Sequence, residues 1–239
     1  RPAAALRRRP PSCWQVQECI QDLAAPLFGA SDAKFASAGR EDVDVRMLGE
    51  GRPFVMELIA PKKAYQTKEA LAELAAQISA CDIVEVRNLR MVESKAMGTL
   101  MKSGGDDSEE QHRKDYRCVV ILGRSATQAD VDKLNGLKDV VLAQTTPLRV
   151  LHRRTLMVRE RTVYSMRATK ITSRFLVLDL NTQSGTYVKE FVHSDFGRTE
   201  PSIGSLLGCE ADIMQLDVMG LQEAPGSSAG GRSAQLRPD

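Results

Sequence analysis

Five short runs rich in Val, Ile and Leu constrain this chain most: FVMELI at 54–59, DIVEVRNL at 82–89, YRCVVIL at 116–122, FLVLDL at 175–180 and ADIMQLDV at 211–218. Runs this short and this rich in β-branched residues suit half-buried strands. Only two stretches carry a helical period. In 67–80, Ala70, Leu71, Leu74, Ala75 and Ile78 share one face behind Thr67 as N-cap. In 127–138, Thr127 stands three residues before Asp130, a capping-box start. Strands outnumber helices and do not alternate with them. The expected class is α+β, a mixed and mostly antiparallel central sheet flanked by helices.

The 239 residues are 42% hydrophobic with 33 Lys+Arg against 31 Asp+Glu, which excludes wholesale disorder. That length buries a sizeable core, as one large domain or two small ones. No apolar run approaches the ~18 residues of a membrane span, so no membrane partner is expected. The five cysteines are odd in number and scattered, which argues against a disulfide framework and for an intracellular setting. Residues 1–15 read as a basic linker at the start of a fragment, and 223–239 as a disordered tail rich in Gly, Ser and Pro. Between them, 16–222 reads as the folded domain, interrupted by a long surface loop at 102–115.

The net charge of +2 hides an uneven distribution. Residues 149–174 hold eight Lys/Arg and a single acid, Glu160. The alternating stretch around 158–168 reads as a projecting basic hairpin. Arg149, Arg153, Arg154, Arg159 and Arg161 suit phosphate, which arginine binds through two parallel hydrogen bonds. A solvated edge hairpin whose charges block aggregation is the plainer reading. Acids at 41–50 and 106–115 offset this basic segment.

The densest chemical signal is Gly39-Arg40-Glu41-Asp42-Val43-Asp44-Val45-Arg46. Three carboxylates within four residues must be solvated, paired or used. In an extended strand Asp42 and Asp44 share a face. One reading is a metal-dependent phosphodiesterase with paired carboxylates. Another is a single carboxylate nucleophile kept ionised by a cation. An ordinary polar turn is the third. Elsewhere, His193, Ser194 and Asp195 are consecutive and make no triad. The three histidines and the lone Cys13/Cys19 pair lack metal spacing. Gly49-Glu50-Gly51 is a turn before a strand, with no helix to make it a dinucleotide loop.

Three ordered motifs carry a resemblance: GREDVDVRMLGEGRPF at 39–54, QTTPLRVLHRR at 144–154 and SGTYVKEFVHSDFGRTEPSIGSLLG at 184–208. Together they resemble the archaeal and eukaryotic tRNA pseudouridine synthase family Pus-ten, over most of 31–219. The resemblance implies a pseudouridine synthase fold that isomerises uridine in the T arm of tRNA without metal or organic cofactor. It implies a catalytic role for Asp42, with Tyr116 stacking on the target base and Lys189 pairing with the aspartate. Leu206, next to Leu207, corresponds to the apolar residue beside the uracil. It further implies an RNA-binding domain with a THUMP module ahead of this chain, a monomer, and a nuclear or cytoplasmic location. An RNA-binding or processing factor whose turnover is secondary is the alternative.

Overall fold

The computed structural model describes residues 16–39, 44–93, 98 and 112–223. They fall into two compact units, the first from 16–39 and 52–93, the second from 44–51 and 112–223. The expected site residue Asp42, the linker at 1–15, the tail after Glu223 and most of the surface loop expected at 102–115 lie outside the described residues. The end of that loop, 112–115, is strand instead, because it pairs within the antiparallel sheet of the second unit.

In the first unit, helix α1 (Val16–Phe28) precedes strand β1 (Asp32–Ser37), which pairs antiparallel with β3 (Phe54–Ile59). Helix α2 (Lys68–Ser79) follows, and its N-cap Thr67 accepts a hydrogen bond from the Ala70 N–H at 3.2 Å. Ile20, Ala24, Leu74, Ile78 and Val86 form the core, with Phe35 stacked on Phe54 at 5.5 Å. The strand expected at 82–89 does not form. Asp82 and Asn88 take left-handed backbone (φ 59° and 57°), which ends an extended run at both sides. Val86 is buried without a ladder partner because its N–H is bonded instead to Ser79 Oγ at 3.1 Å.

The second unit is a seven-stranded sheet, ordered β2-β9-β4-β7-β6-β5-β8. Its strands are β2 (Val45–Met47), β4 (His112–Leu122), β5 (Lys138–Thr145), β6 (Val158–Lys170), β7 (Phe175–Gln183), β8 (Thr199–Glu200) and β9 (Ala211–Glu223). Only β2 with β9 is parallel, and every other pairing is antiparallel. The mixed, mostly antiparallel sheet is therefore as the sequence implies. Helices α3 (Gln128–Gly136), α4 (Val188–His193) and α5 (Ile203–Leu207) supply Val131, Leu134, Val188, Phe191, Val192 and Ile203 to a core shared with Cys118, Val120, Leu122, Leu176 and Leu178 of the strands. Burial pushes the Cys118 thiol up to about 12, which makes it an inert packing group. The α3 capping box forms, with Thr127 and Asp130 bonded reciprocally.

Residues 158–168 do not turn back on themselves. They lie within the single strand β6, an interior strand between β5 and β7, because Val163, Met166 and Ala168 must reach the core. The hairpin turn lies earlier, in the 146–157 connection between β5 and β6.

Two features lock β2 in register. At Gly49 (φ 64°) an added Cβ would sit 2.3 Å from the Met219 carbonyl oxygen, so only glycine lets the chain pass. Arg46 grips buried Asp217 through both oxygens, at 2.7 and 2.6 Å. The Arg46 guanidinium holds the Asp217 carboxyl below its ordinary value. A carboxyl depressed by folding stabilises the native state above its unfolded pKa of 3.8, and that contribution disappears as pH falls through the native value. Asp217→Asn is accordingly expected to destabilise the wild-type fold at pH 7 and to flatten the loss of stability below about pH 4. Urea unfolding at pH 7 and pH 3 checks this; an equal difference between variant and wild type at both values would refute it.

Candidate active site

Lys189 occupies the second position of α4, on the short helix that packs over the sheet core. Its side chain is mostly buried, 17% exposed, and forms an ion pair with Asp44, the residue immediately before β2. The Lys189 ammonium is the main cause holding the Asp44 carboxyl below the ordinary value. Burial is the next largest cause and opposes it, and Arg149 adds a smaller attraction. A strand leader and a helix 145 positions apart in the chain are thus closed on one another by charge. Asp42 precedes Asp44 by two residues, and no geometry is described for it.

The N-terminal turn of α4 is fixed by a buried side chain. Gln144 accepts from the Tyr187 N–H and donates to the Tyr187 carbonyl, each at 3.0 Å. A side-chain amide used as both donor and acceptor leaves a buried group satisfied and one backbone orientation allowed. Glu190, 1% exposed, accepts from Arg149 Nε at 2.7 Å and Nη2 at 3.4 Å. The same guanidinium lies 5.9 Å from the Tyr187 ring centroid, within cation–π range.

The other sequence-predicted residues are distributed as follows. Tyr116 is half-buried on β4, just after a bulge at Asp115/Tyr116, opposite Leu180 and Val218, at the margin of the core. Leu206 is partly buried on α5 against the same core, whereas Leu207 is buried. The carbonyls of both are held by cations from around α3. Lys133 Nζ donates to Leu206 at 2.5 Å, and Arg124 Nη2 donates to Leu207 at 2.8 Å. Arg153 and Arg154 are exposed on the 146–157 connection. Arg159 and Arg161 are half-buried on β6, on the strand face that continues from Val163, with Arg159 donating to Thr146 Oγ1 at 3.3 Å. Arg149 pairs with Glu190. The five arginines read together from the sequence therefore have three different environments.

Sequence reasoning assigned no separate role to Asp44, Gln144, Glu190 or Asp195. Glu190 leaves a faint signal: an acid set among Val188, Phe191 and Val192 in a segment too short for a long exposed helix face. Gln144 opens the QTTPLRVLHRR motif, yet nothing in its residue type points to the Tyr187 backbone it holds.

A family model described as "Pus10, C-terminal" matches residues 6–222. The chain is 45% identical over 204 residues to tRNA pseudouridine synthase Pus10 of Mus musculus, covering 85% of this chain and 38% of that protein. It is 39% identical over 205 residues to the Archaeoglobus fulgidus protein of the same name, covering 85% and 54% respectively. It thus spans roughly two fifths to one half of these relatives. A chain in a crystal structure of a Cbf5-Nop10-Gar1 complex superposes with a TM-score of 0.48 at 16% identity, covering 83% of this chain and 43% of that one. No helix among the described residues is long and apolar enough to cross a membrane. With the family model matched along most of the chain and relatives at this identity in both an animal and an archaeon, the chain belongs to the Pus10 C-terminal family.

Proposed function

We propose that this chain carries the catalytic part of a tRNA pseudouridine synthase that acts on uridine in the T arm, with Asp42 engaging the ribose. The observation that carries the reading is the Lys189–Asp44 ion pair, which brings a partly desolvated cation onto the GREDVD segment in a member of this family. A cation in that position keeps neighbouring carboxylates ionised at neutral pH, as a nucleophile or base requires.

The isomerisation breaks the N1–C1′ bond, turns the detached uracil and joins C5 to C1′. The proton leaving C5 is balanced by one gained at N1, so there is no net redox change. Asp42 attacks C1′ or withdraws the C2′ proton, and both routes need an anionic carboxylate beside the sugar. Tyr116 offers an aromatic face and Leu206 an aliphatic wall, which hold a base without fixing its edge orientation. The target uridine must leave its stack at a cost of a few kcal/mol. Phosphate contacts from the exposed Arg153 and Arg154 offset part of that cost. The reading extends to an intracellular monomer, nuclear or cytoplasmic, that uses a THUMP-containing RNA-binding region ahead of this chain.

Carbodiimide mapping of a T-arm minihelix and of full tRNA, after treatment with the full chain, tests this directly. New pseudouridine at a T-arm uridine is the expected result. Tight RNA binding without any new pseudouridine would leave the RNA-binding or processing factor as the function. For the connection itself, Arg153→Gln/Arg154→Gln is expected to reduce the salt dependence of tRNA binding. The slope of log affinity against log salt should fall by about 0.7 to 0.9 for each phosphate that the variant no longer neutralises. An unchanged slope would remove both arginines from the interface.

A further inference from the structure

Four carboxylates are buried among the described residues: Asp130, Glu190, Asp195 and Asp217. Asp130 caps α3 and pairs with Arg124, and Asp217 pairs with Arg46. The remaining two, from the Lys189 helix and the turn that ends it, converge on consecutive residues of a different element. Glu190 takes the Arg149 guanidinium, and Asp195 Oδ2 accepts the Leu148 N–H at 3.0 Å. Leu148–Val150 is a single 3₁₀ turn that opens the basic 146–157 connection.

The chain accepts strain to deliver Asp195 there. Ser194, Asp195 and Phe196 all take left-handed backbone, at φ 66°, 51° and 59°. Such residues persist only where surrounding contacts over-determine them. Here those contacts are present: Ser194 N–H to the Glu190 carbonyl at 2.8 Å, Asp195 N–H to His193 Nδ1 at 3.0 Å and Thr199 N–H to the Ser194 carbonyl at 3.0 Å. Arg198, itself 3.5 Å from Asp195, adds a further link by donating to the Thr146 carbonyl at 2.7 Å. Lys189 therefore sits between two anchor points. Tyr187 before it is tied to Gln144, and Glu190 after it is tied to Arg149.

We infer that Glu190 and Asp195 are positioning residues that clamp the Leu148–Arg149 turn to the helix bearing Lys189, so that the basic connection and the catalytic lysine form one rigid element. This rests on the pseudouridine synthase reading for the role of Lys189 and of RNA. Arg149 is in consequence part of the clamp rather than a phosphate ligand. RNA engaged by Arg153 and Arg154 is held in fixed register with the lysine, because the turn between them cannot swing independently.

The test uses the full chain with Glu190→Gln, Asp195→Ala, Arg149→Gln and the Glu190→Gln/Arg149→Gln pair. Single-turnover pseudouridine formation, tRNA affinity and amide exchange without RNA are each measured. Each single change should slow turnover about 10- to 50-fold, as expected for a misplaced catalytic group, with tRNA affinity altered less than about threefold. The double variant should be no slower than the worse single one within about threefold, since both remove the same ion pair. Amides of Leu148 to Val150 should exchange about tenfold faster, while β4 and β7 stay protected. Multiplicative losses in the double variant, or weakened RNA binding by Arg149→Gln alone, would make Arg149 a phosphate ligand and overturn the clamp. Loss of protection throughout the sheet would make Glu190 a folding determinant and overturn its positioning role. If wild-type chain forms no pseudouridine, the reaction reading falls, and exchange at Leu148 to Val150 still decides the clamp.

Discussion

Replacing Asp42 by alanine is expected to abolish pseudouridine formation, by at least about 10⁴-fold, while tRNA affinity changes less than about threefold. Losses on that scale follow removal of a group that bonds to, or takes a proton from, the reacting sugar. Binding is spared because a carboxylate contributes nothing attractive to phosphate, and its removal lowers local repulsion. Asp42→Asn makes the same test with the shape preserved. Asp44→Asn is the control within the segment: it removes the partner of Lys189 but leaves Asp42 in place, so a smaller loss is expected. Carbodiimide mapping under single-turnover conditions gives the readout. New pseudouridine with Asp42→Ala at a rate near that of wild type would transfer the chemistry to another group.

Lys189→Met comes next in expected size, a loss of about 10²- to 10³-fold in turnover with the aliphatic stem retained. The charge is what matters. The Lys189 ammonium is the main cause depressing the Asp44 carboxyl, and an opposite charge beside any carboxylate favours its ionised form. Without that charge the Asp44 carboxyl rises in pKa, and the same direction is expected for the reacting carboxylate two residues before it. The acidic limb of the pH–rate profile should therefore move to higher pH. The stability supplied by the Lys189–Asp44 pair has the matching sign. It is present above the unfolded value of 3.8 and lost as pH falls through the depressed native value. Lys189→Arg should restore most of the profile, because arginine also pairs with carboxylates. An unshifted acidic limb in Lys189→Met would show that the lysine does not set the ionisation of the group that reacts.

Local pattern carried the outline of the fold a long way. Thr67 and Thr127 announced two helix starts, since an N-cap satisfies backbone donors within three residues and needs no distant partner. Phe54–Ile59 formed with the bounds read from its β-rich composition. Residues 82–89 had the same composition but no strand to pair with among the described residues, and pairing is a tertiary property. The basic stretch shows the same limit. Alternating charge in 158–168 resembles an exposed hairpin, yet Val163 and Met166 must be buried, so the stretch became an interior strand. The turn moved to 146–157, and Arg159 and Arg161 were drawn half inside.

Sequence by itself determined the family, through three ordered motifs, and with it the expected roles of Asp42, Tyr116, Lys189 and Leu206. It also determined the α+β class, because strand and helix periods are written within a few residues. What only the tertiary structure decided is pairing at long range. That Lys189 meets Asp44, that Arg149 answers to Glu190 and that Asp195 reaches the Leu148 N–H depend on segments 41 to 145 positions apart closing on one core. A buried carboxylate must find a partner, but its sequence does not say which one. The packing of α4 against the sheet does.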